Sequence, residues 1–467
     1  MKKLDYKNDR IGSLIVKTST PMLVAELLNL LYSIVDRIYI GRINTGMGSA
    51  LSGIGLCFPF IIIITGFSNM FGMGGSALFS IELGKGDKRK ATAILNTTLR
   101  LAVISAAILT VVTESFSERL LTLFGADAIT MGSALPYLRI YMSGTIFVLI
   151  ASSMYPFINA EGFPRIGMTA IAVGTVLNII LDPLFIFALD MGVRGAAIAT
   201  VISQAVSACV SAGFLLGKQN EFRLTVPRIG RDAAPMLPYA GNIVSLGTAP
   251  FIMSCTNSLV SVICNRVLMF FGGSDYVSVM TIITSIRQIL DTPVSSVANG
   301  TSPIISFNYG NRQPDRIRQT IMIMVLISIA YTAAVWALIE LWPGLFIGVF
   351  TNDPHLTELS VPAVHIYFFA FIFQGFQHCG QAVFKALNKK KQAIFFSLFR
   401  KVILVVPLTY LLPYGFGFGT TGVFLAEPIS NFLGGAACFT TMVFVVKREL
   451  YSMRLGEKDN GSGKENQ

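Results

Sequence analysis

The chain has 467 residues, of which 53% are hydrophobic and only 13% are charged, and its mean hydropathy is +0.65. A soluble domain carries nearly twice that share of charged residues, so the composition excludes an ordinary soluble protein. The formal net charge of +11 comes from basic residues dispersed over many loops, whereas a nucleic-acid partner calls for a clustered basic surface. Long continuous apolar runs favour membrane-spanning helices over the alternating segments of a β-barrel.

Apolar runs of about 20 residues predict an all-α polytopic membrane protein with twelve membrane-spanning helices, here called spans 1 to 12. They cover roughly 14–40, 50–80, 93–113, 133–159, 165–189, 193–217, 240–271, 276–309, 316–342, 360–387, 393–412 and 420–446. Six spans make the first lobe (1–217) and six make the second lobe (240–446). A cytoplasmic linker (218–239) joins the lobes, and a disordered cytoplasmic tail (447–467) follows them.

Loop charges predict the orientation in the cell inner (plasma) membrane. Lysine and arginine are concentrated in the N-terminal segment, the 2–3 loop, the linker, and the 8–9 and 10–11 loops, which all fall on one side. The positive-inside rule places that side, and both termini, in the cytoplasm. The six cysteines lie inside spans and form no CxxC pair, so we expect packing roles and no metal site.

The sequence contains an internal repeat: one hydrophobic module occurs twice. Phe124–Asp127 (FGAD) matches Phe350–Asp353 (FTND), and Pro136 matches Pro362, each at an offset of 226 positions. The same offset relates Gly74 to Gly300 and Gly84 to Gly310. Duplicated membrane modules are typical of secondary transporters. Because six spans return the chain to the same side, the sequence predicts two pseudo-symmetric six-helix bundles around a central cleft.

Polar side chains inside the spans of the first lobe form one coherent set. Asp36 lies in span 1, Asn178 and Asp182 lie four residues apart on span 5, and Thr200 lies in span 6. All four fall at one depth, roughly 8–12 Å below the outer surface. Such an all-oxygen set suits a proton or a hard monovalent cation. Two carboxylates in a low-dielectric setting also favour proton uptake by one of them.

The second lobe breaks this pattern. Leu404, Leu408 and Asn265 stand at the positions that match Asn178, Asp182 and Asp36, and Glu427 stands at the position that matches Thr200. We therefore expect ion coupling in the first lobe. Glu427 is either a separate titratable group or a buried structural glutamate.

Structural readings stay open for several charged residues. Asp36 could instead pair with Arg37 or Arg42 near the interface, and Asn178 could cap a helix or bridge two helices. Arg287 and Asp291 lie four residues apart on span 8 and predict an internal ion pair, a structural arrangement that neutralises itself.

Two prolines and one glutamate complete the candidate conformational and cavity residues. Pro21 in span 1 and Pro183 after Asp182 allow bends, which are either static kinks or coupled to protonation. Glu26 lies ten residues before Asp36, an offset of roughly 80° around the helix axis. Glu26 either lines a cavity or meets a neighbouring helix.

At these residues the sequence resembles the multidrug and toxic compound extrusion (MATE) family, over nearly the whole chain. The motifs that carry the resemblance are Pro21…Asp36-Arg37…Gly41-Arg42, the NAEGFPR run 159–165, Asn178-x-x-x-Asp182-Pro183 and the run 192–200. The resemblance implies two facing bundles, alternating access, and Asp36, Asn178, Asp182 and Thr200 as the residues that bind the coupling cation. Span 7 has Asn257, and span 10 has Gln374 and Gln377, where some members carry acids.

The resemblance implies a secondary antiporter that exports a small organic cation or amphiphile in exchange for H⁺ or Na⁺. It needs no cofactor beyond that ion, has membrane lipid around it, and is expected to be a monomer. The alternative is a lipid-linked oligosaccharide flippase on a related scaffold, which would favour a cationic cavity. An enzyme is not expected, because the sequence contains no HExxH, GxSxG or catalytic Ser/His pair.

Overall fold

The fold is known from a computed structural model, which describes residues 3–41, 43, 50–217, 222, 224 and 237–462. Within those ranges every regular element is a helix. Spans 1 to 6 are Ile11–Gly41, Phe58–Gly84, Lys88–Leu123, the bent pair Ala128–Ser143 and Thr145–Ala160, Pro164–Ala188, and Gly192–Leu216. Spans 7 and 8 form the continuous run Leu237–Gly310, and spans 9 to 12 are Pro314–Leu341, the bent pair Pro354–Phe368 and Ile372–Ala386, Lys390–Gly415, and Gly419–Ser462.

The number of spans agrees with the sequence. Among the described residues, nine helices are long and apolar enough to cross a membrane, and the two bent pairs add two more. The longest helix is broken at Gly273, where φ is 71° and ψ is −162°, a conformation open mainly to glycine. This break separates span 7 from span 8 and confirms the prediction of twelve spans.

The sequence motif that reveals the duplication is a pair of helix starts. Asp127 caps span 4: its Oδ1 accepts from the backbone N–H of Thr130 at 2.7 Å and of Ile129 at 3.1 Å. Asp353 caps span 10 and accepts from the backbone N–H of His355 at 2.9 Å. Bonds from the Thr130 backbone and side chain hold the pKa of Asp127 below its usual range. The repeat therefore preserves a signal that begins a helix in each lobe.

The chain divides into two compact units, whose boundaries differ from the predicted lobes. The first unit comprises Met1–Asp5, Pro21–Leu83 and Asp87–Cys255. The second comprises Tyr6–Thr20, Gly84–Gly86 and Thr256–Gln467. The start of span 7 thus packs with the first unit, and the start of span 1 packs with the second.

Two glycines at equivalent repeat positions explain this exchange of helix starts. In the first unit, a Cβ on Gly74 would lie 2.8 Å from the backbone nitrogen of Gly247 in span 7. In the second unit, a Cβ on Gly300 would lie 2.9 Å from the Cα of Ser19 in span 1. Each glycine lets two helix backbones approach closely, as small residues do between membrane helices.

Each unit has its own apolar core. In the first unit, Phe79 packs edge-on against Phe157 and Phe222, with ring centroids 5.4 and 5.2 Å apart. In the second, Phe368 packs against Tyr367 and Phe371 at 5.4 Å each. Many large apolar side chains are also exposed on the helices. That arrangement suits a protein whose solvent is lipid.

The ends of the lobes differ from the sequence prediction at one place. The tail 447–467 was expected to be disordered, but span 12 continues to Ser462. Polar contacts extend the helix past residue 446: Glu449 pairs with Lys389 and accepts from the hydroxyl of Tyr309 at 2.9 Å, and Arg454 pairs with Asp315. Of the predicted linker 218–239, most residues lie outside the described ranges.

Candidate functional site

Three of the predicted site residues meet in the interior of the first unit. Asn178 Nδ2 donates to Asp182 Oδ1 at 3.2 Å and to the Thr200 hydroxyl at 3.5 Å. Asn178 and Asp182 share a face because they are one helical turn apart. All three side chains are buried, and Asp182 is completely so. Span 5 and span 6 are therefore joined by one amide at this point.

Span 1 supplies the other side of the site. The hydroxyl of Tyr32 lies 3.5 Å from that of Thr200, and Asp36 is one turn further along the same helix. Asp36 is close enough to Asp182 for the two carboxylates to interact electrostatically. We call Asp36, Asn178, Asp182 and Thr200 the first-lobe site. Sequence spacing predicted this grouping, but it did not find Tyr32, which belongs to no sequence motif.

The first-lobe site keeps two oxygens available. Asn178 Oδ1 and Asp182 Oδ2 are buried, and neither has a hydrogen-bond partner among the residues that the structure describes. A buried acceptor without a donor costs about 1–3 kcal/mol, so such atoms call for a ligand or a proton. Carboxylate and amide oxygens suit H⁺ or a hard cation such as Na⁺.

The backbone changes its form beside this site. Pro183 ends the α-helical part of span 5, and the π-helical turn Leu184–Ala188 follows. Asp182 lies directly before Pro183, two residues before the π-helical turn begins. π-helical turns occur frequently at functional sites. Pro21, by contrast, lies inside a helix that continues through it.

Other predicted residues of span 1 lie outside this grouping or outside the described residues. Glu26 is partly exposed, and its carboxylate interacts electrostatically with the Tyr155 hydroxyl of span 4. Glu26 therefore faces a neighbouring helix. The alternative partners of Asp36 are not described: Arg42 and the side chain of Arg37 lie outside the described residues.

The second unit contains a cluster of different character around Glu427. Glu427 Oε1 lies 3.0 Å from Arg287 Nη1, 3.1 Å from Arg400 Nη1 and 2.9 Å from Lys401 Nζ. Lys401 also contacts Oε2, at 3.2 Å. Glu427 thus accepts from spans 8 and 11 at once.

Span 8 and span 10 extend this cluster. Arg287 Nε binds Asp291 Oδ2 at 3.2 Å, which confirms the predicted ion pair. Gln374 Nε2 donates to the same Asp291 oxygen at 3.1 Å, and Gln374 Oε1 accepts from Arg400 at 3.1 Å. We call Arg287, Asp291, Gln374, Arg400, Lys401 and Glu427 the second-lobe cluster.

The sequence analysis missed two members of this cluster, Arg400 and Lys401. Both lie inside the apolar run of span 11, and a count of basic residues within spans would have found them. They are on the π-helical turn Phe399–Val405. In the repeat, they lie on the helix that corresponds to the one bearing Asp182. Equivalent helices thus carry opposite charge in the two lobes.

Comparison with known proteins identifies the family. The sequence profile described as MatE matches residues 21–184 and 250–411, one stretch in each half and together more than half of the chain. The chain belongs to the MatE family. The resemblance to multidrug and toxic compound extrusion transporters is thereby confirmed, and the chain is a multi-pass membrane transporter.

Relatives and solved structures of this MatE chain align over nearly its whole length. "Multidrug export protein MepA" of Staphylococcus haemolyticus is 25% identical over 434 residues, covering 92% of this chain and 93% of the relative. The protein of the same name from Staphylococcus aureus strain MSSA476 is 24% identical over 435 residues, with the same coverage. An outward-facing multidrug resistance MATE family transporter superposes with a TM-score of 0.88 at 23% identity, covering 96% of this chain and 99% of that one.

Another solved structure has the same fold at a TM-score of 0.87 and 23% identity, covering 96% of this chain and 99% of that one. It is described as a MOP superfamily transporter from Pyrococcus furiosus whose binding pocket has reversed polarity. At this identity the likeness extends to the fold alone. The chemistry of this MatE chain must come from its own residues.

Proposed function

We propose that this MatE chain is a secondary antiporter that exports small organic cations or amphiphilic drugs in exchange for H⁺ or Na⁺ by alternating access. The buried contact of Asn178 with Asp182 and Thr200 carries the proposal. In it a buried carboxylate, whose Oδ2 has no hydrogen-bond partner among the described residues, lies near a second carboxylate on a predicted span. Intramembrane acids are expensive and usually serve transport or proton relay.

In this proposal Asp182 and Asp36 take up the coupling ion, and Asn178 and Thr200 complete its oxygen ligands. The names of the relatives, which are multidrug export proteins, support drugs as substrates. One H⁺ that crosses about 100 mV releases roughly 2.3 kcal/mol, enough for tens-fold accumulation. Neutralising the two carboxylates removes their attraction for an organic cation, so ion uptake and substrate release favour each other.

Coupling requires the site to change its backbone or packing. The α-to-π transition that follows Asp182 at Pro183 offers such a place, because an altered charge on Asp182 acts beside a helix that is already interrupted. Glu26 and Pro21 belong to the same span as Asp36 and are assigned a conformational role here. The protein works as a monomer in the plasma membrane, with both termini and the 218–239 linker in the cytoplasm.

The alternative, a lipid-linked oligosaccharide flippase, gains one supporting observation. Arg287, Arg400 and Lys401 place basic groups inside the second lobe, as a pyrophosphate substrate would require. These cations are engaged by Glu427 and Asp291. Among the described residues, the buried polar atoms that keep no hydrogen-bond partner in the first-lobe site are the oxygens Asn178 Oδ1 and Asp182 Oδ2. Oxygens suit a cation, so the cation antiporter accounts better for them than the flippase does.

Transport of a fluorescent cationic dye in proteoliposomes tests the proposal, with a pH gradient and a Na⁺ gradient imposed separately. Asp182→Asn removes the charge at the site. Asp190→Asn is the matched control, because Asp190 is exposed, and asparagine tolerates its φ of 49°. We expect gradient-driven export to fall at least about tenfold in the first variant and to persist in the second.

Two results would contradict this account in different ways. Full gradient-driven export by folded Asp182→Asn would overturn the assignment of the first-lobe site. No movement of dye by the wild type under either gradient would contradict cation-coupled export itself. The gradient that drives export identifies the coupling ion.

A further inference from the structure

The second-lobe cluster holds one more positive than negative group when every member is ionised. Its cations are Arg287, Arg400 and Lys401, and its anions are Asp291 and Glu427. The side chains of Arg400, Lys401 and Glu427 are only 4–5% exposed. An unbalanced charge in such a setting costs several kcal/mol, so one group is expected to lose its charge.

Lysine is the member of the cluster that can do so. Arginine stays protonated in proteins, whereas a buried lysine readily gives up its proton. Lys401 Nζ makes two hydrogen bonds among the described residues, both to Glu427, at 2.9 and 3.2 Å. An ammonium group has three hydrogens, and the third finds no acceptor among the residues that the structure describes. A neutral amine has two, so Lys401 can keep both contacts after losing a proton.

Hydrogen-bonded polar groups connect this lysine with the more exposed members of the cluster. Arg287 and Asp291 are 18% and 19% exposed, and Gln374 links Asp291 to Arg400, which binds Glu427. Gln374 Nε2 also lies 3.4 Å from His378 Nε2. The ionisable groups that face the cluster around Lys401 are Cys264 on span 7, Arg287 and Asp291 on span 8, Tyr367 and His378 on span 10, Arg400 on span 11 and Glu427 on span 12.

We propose that Lys401 is a second proton-exchange site, which releases and takes up one proton in each transport cycle. Release breaks one N–H bond of the ammonium group and leaves an amine; the proton goes to Glu427, whose oxygens lie 2.9 and 3.2 Å from Nζ, and from there to solvent water when alternating access opens the second lobe. Uptake reverses these steps. Protonation adds one positive charge to the second lobe, which disfavours an organic cation bound there. The inference rests on the proposed antiport and places part of its proton coupling on a base instead of an acid.

Solid-state ¹⁵N NMR of the full chain in lipid bilayers tests the proton site without transport. With ¹⁵Nζ-labelled lysine, Lys401→Arg identifies the signal by its loss while keeping a charged side chain, and Lys401→Met is a second assignment variant. We expect the Lys401 signal to change from ammonium to amine between about pH 6 and pH 10, while surface lysines stay ammonium up to about pH 10. A Lys401 signal that is ammonium throughout this range overturns the proposal and favours a bound anion as the balancing charge.

Transport of the cationic dye under a pH gradient tests the role in coupling. Lys401→Arg fixes the positive charge, and we expect gradient-driven export to fall at least about tenfold while dye binding persists. Lys385→Arg, at a lysine on span 10 that is not a member of the second-lobe cluster, is the matched control and is expected to retain export. Wild-type export rates in Lys401→Arg would overturn the proposal. If the wild type shows no gradient-driven export, the antiport proposal fails, and the NMR titration alone decides the proton site.

Discussion

The two lobes bury polar groups of different kinds, and only some of the helices that carry them correspond in the repeat: span 5 with span 11, and span 6 with span 12. The first-lobe site has two carboxylates, an amide and a hydroxyl on spans 1, 5 and 6. The second-lobe cluster has three cations and two carboxylates, centred on spans 8, 11 and 12, with Glu427 at the position that matches Thr200. Duplication preserved the helix starts, the close-packed glycines and the span order, while the buried chemistry diverged.

The two lobes differ in how many oxygens of their central carboxylates accept hydrogen bonds. In the first lobe, Asp182 has one oxygen bound by Asn178 and one that no residue within the described ranges contacts by a hydrogen bond. In the second, both oxygens of Glu427 accept from cations. A carboxylate with a free oxygen can bind an ion and release it. A carboxylate held by three cations instead fixes helices to each other, and any exchange of charge must come from a cation.

Removing the central anion of the second lobe has the largest expected effect on stability. Glu427→Gln leaves two buried cations, Arg400 and Lys401, and the partly buried Arg287 with only Asp291 as a counter-charge, which should lower the free energy of unfolding by about 3–5 kcal/mol. Asp182→Asn removes a carboxylate that accepts one hydrogen bond, from Asn178. It should change the free energy of unfolding by less than about 1 kcal/mol. Thermal and denaturant unfolding in the same detergent compare the two variants.

A double variant makes that comparison specific to charge. Lys401→Met combined with Glu427→Gln removes one charge of each sign and should recover part of the loss, which a double-mutant cycle measures. Equal stability losses in Glu427→Gln and Asp182→Asn would mean that the lobes do not differ in the way described.

The first-lobe site was predictable from sequence to a greater extent than the second-lobe cluster, for a physical reason. Asn178 and Asp182 lie one turn apart, and helical periodicity alone places them on one face. Glu427 meets Lys401 across two helices, and spacing along the chain carries no information about such a contact. The repeat aligns Glu427 with Thr200 in the sequence, but the alignment does not identify the side chains that Glu427 contacts.

Some local backbone features could likewise be predicted from the sequence, and others could not. The twelve spans and the helix starts at Asp127 and Asp353 follow from apolar length and from capping residues. The π-helical turns beside Asp182 and at Lys401 do not, because they depend on packing against neighbouring helices. The continuation of span 12 to Ser462 also depends on distant partners, such as Asp315 for Arg454.

A pair of tyrosines tests the same contrast at the level of single hydrogen bonds. Tyr367 accepts from the Arg287 guanidinium at 2.9 Å, whereas Tyr32 and Thr200 are 3.5 Å apart. Tyr367→Phe should therefore cost about 1.5–3 kcal/mol, because its bond involves a charged group, and Tyr32→Phe less than about 1 kcal/mol. Unfolding in one detergent measures both. A larger loss for Tyr32→Phe would reverse the assignment of the second lobe as the more tightly bonded one.

The smallest expected effect compares the two helix caps. Asp127 accepts from two backbone N–H groups, and its own N–H donates to the Thr130 hydroxyl at 3.0 Å. Asp353 accepts from the single backbone N–H of His355. Asp127→Ala should therefore lower the melting temperature by a few degrees, on the order expected for a lost cap, and Asp353→Ala by less. A larger loss of melting temperature in Asp353→Ala than in Asp127→Ala would mean that the additional hydrogen bonds of Asp127 do not stabilise the fold.

The pH dependence of the Asp127 cap follows from its charge. Because hydrogen bonds from Thr130 hold its pKa below the usual range, the charged cap stabilises the folded state above the ordinary value of about 3.9. This contribution is lost as the pH falls through the depressed pKa. Asp127→Asn retains a capping oxygen but does not titrate. The melting temperature of the wild type should exceed that of Asp127→Asn at about pH 6, and the difference should shrink on acidification below about pH 4. A difference that is constant across this range would show that the cap acts through hydrogen bonding alone, without its charge.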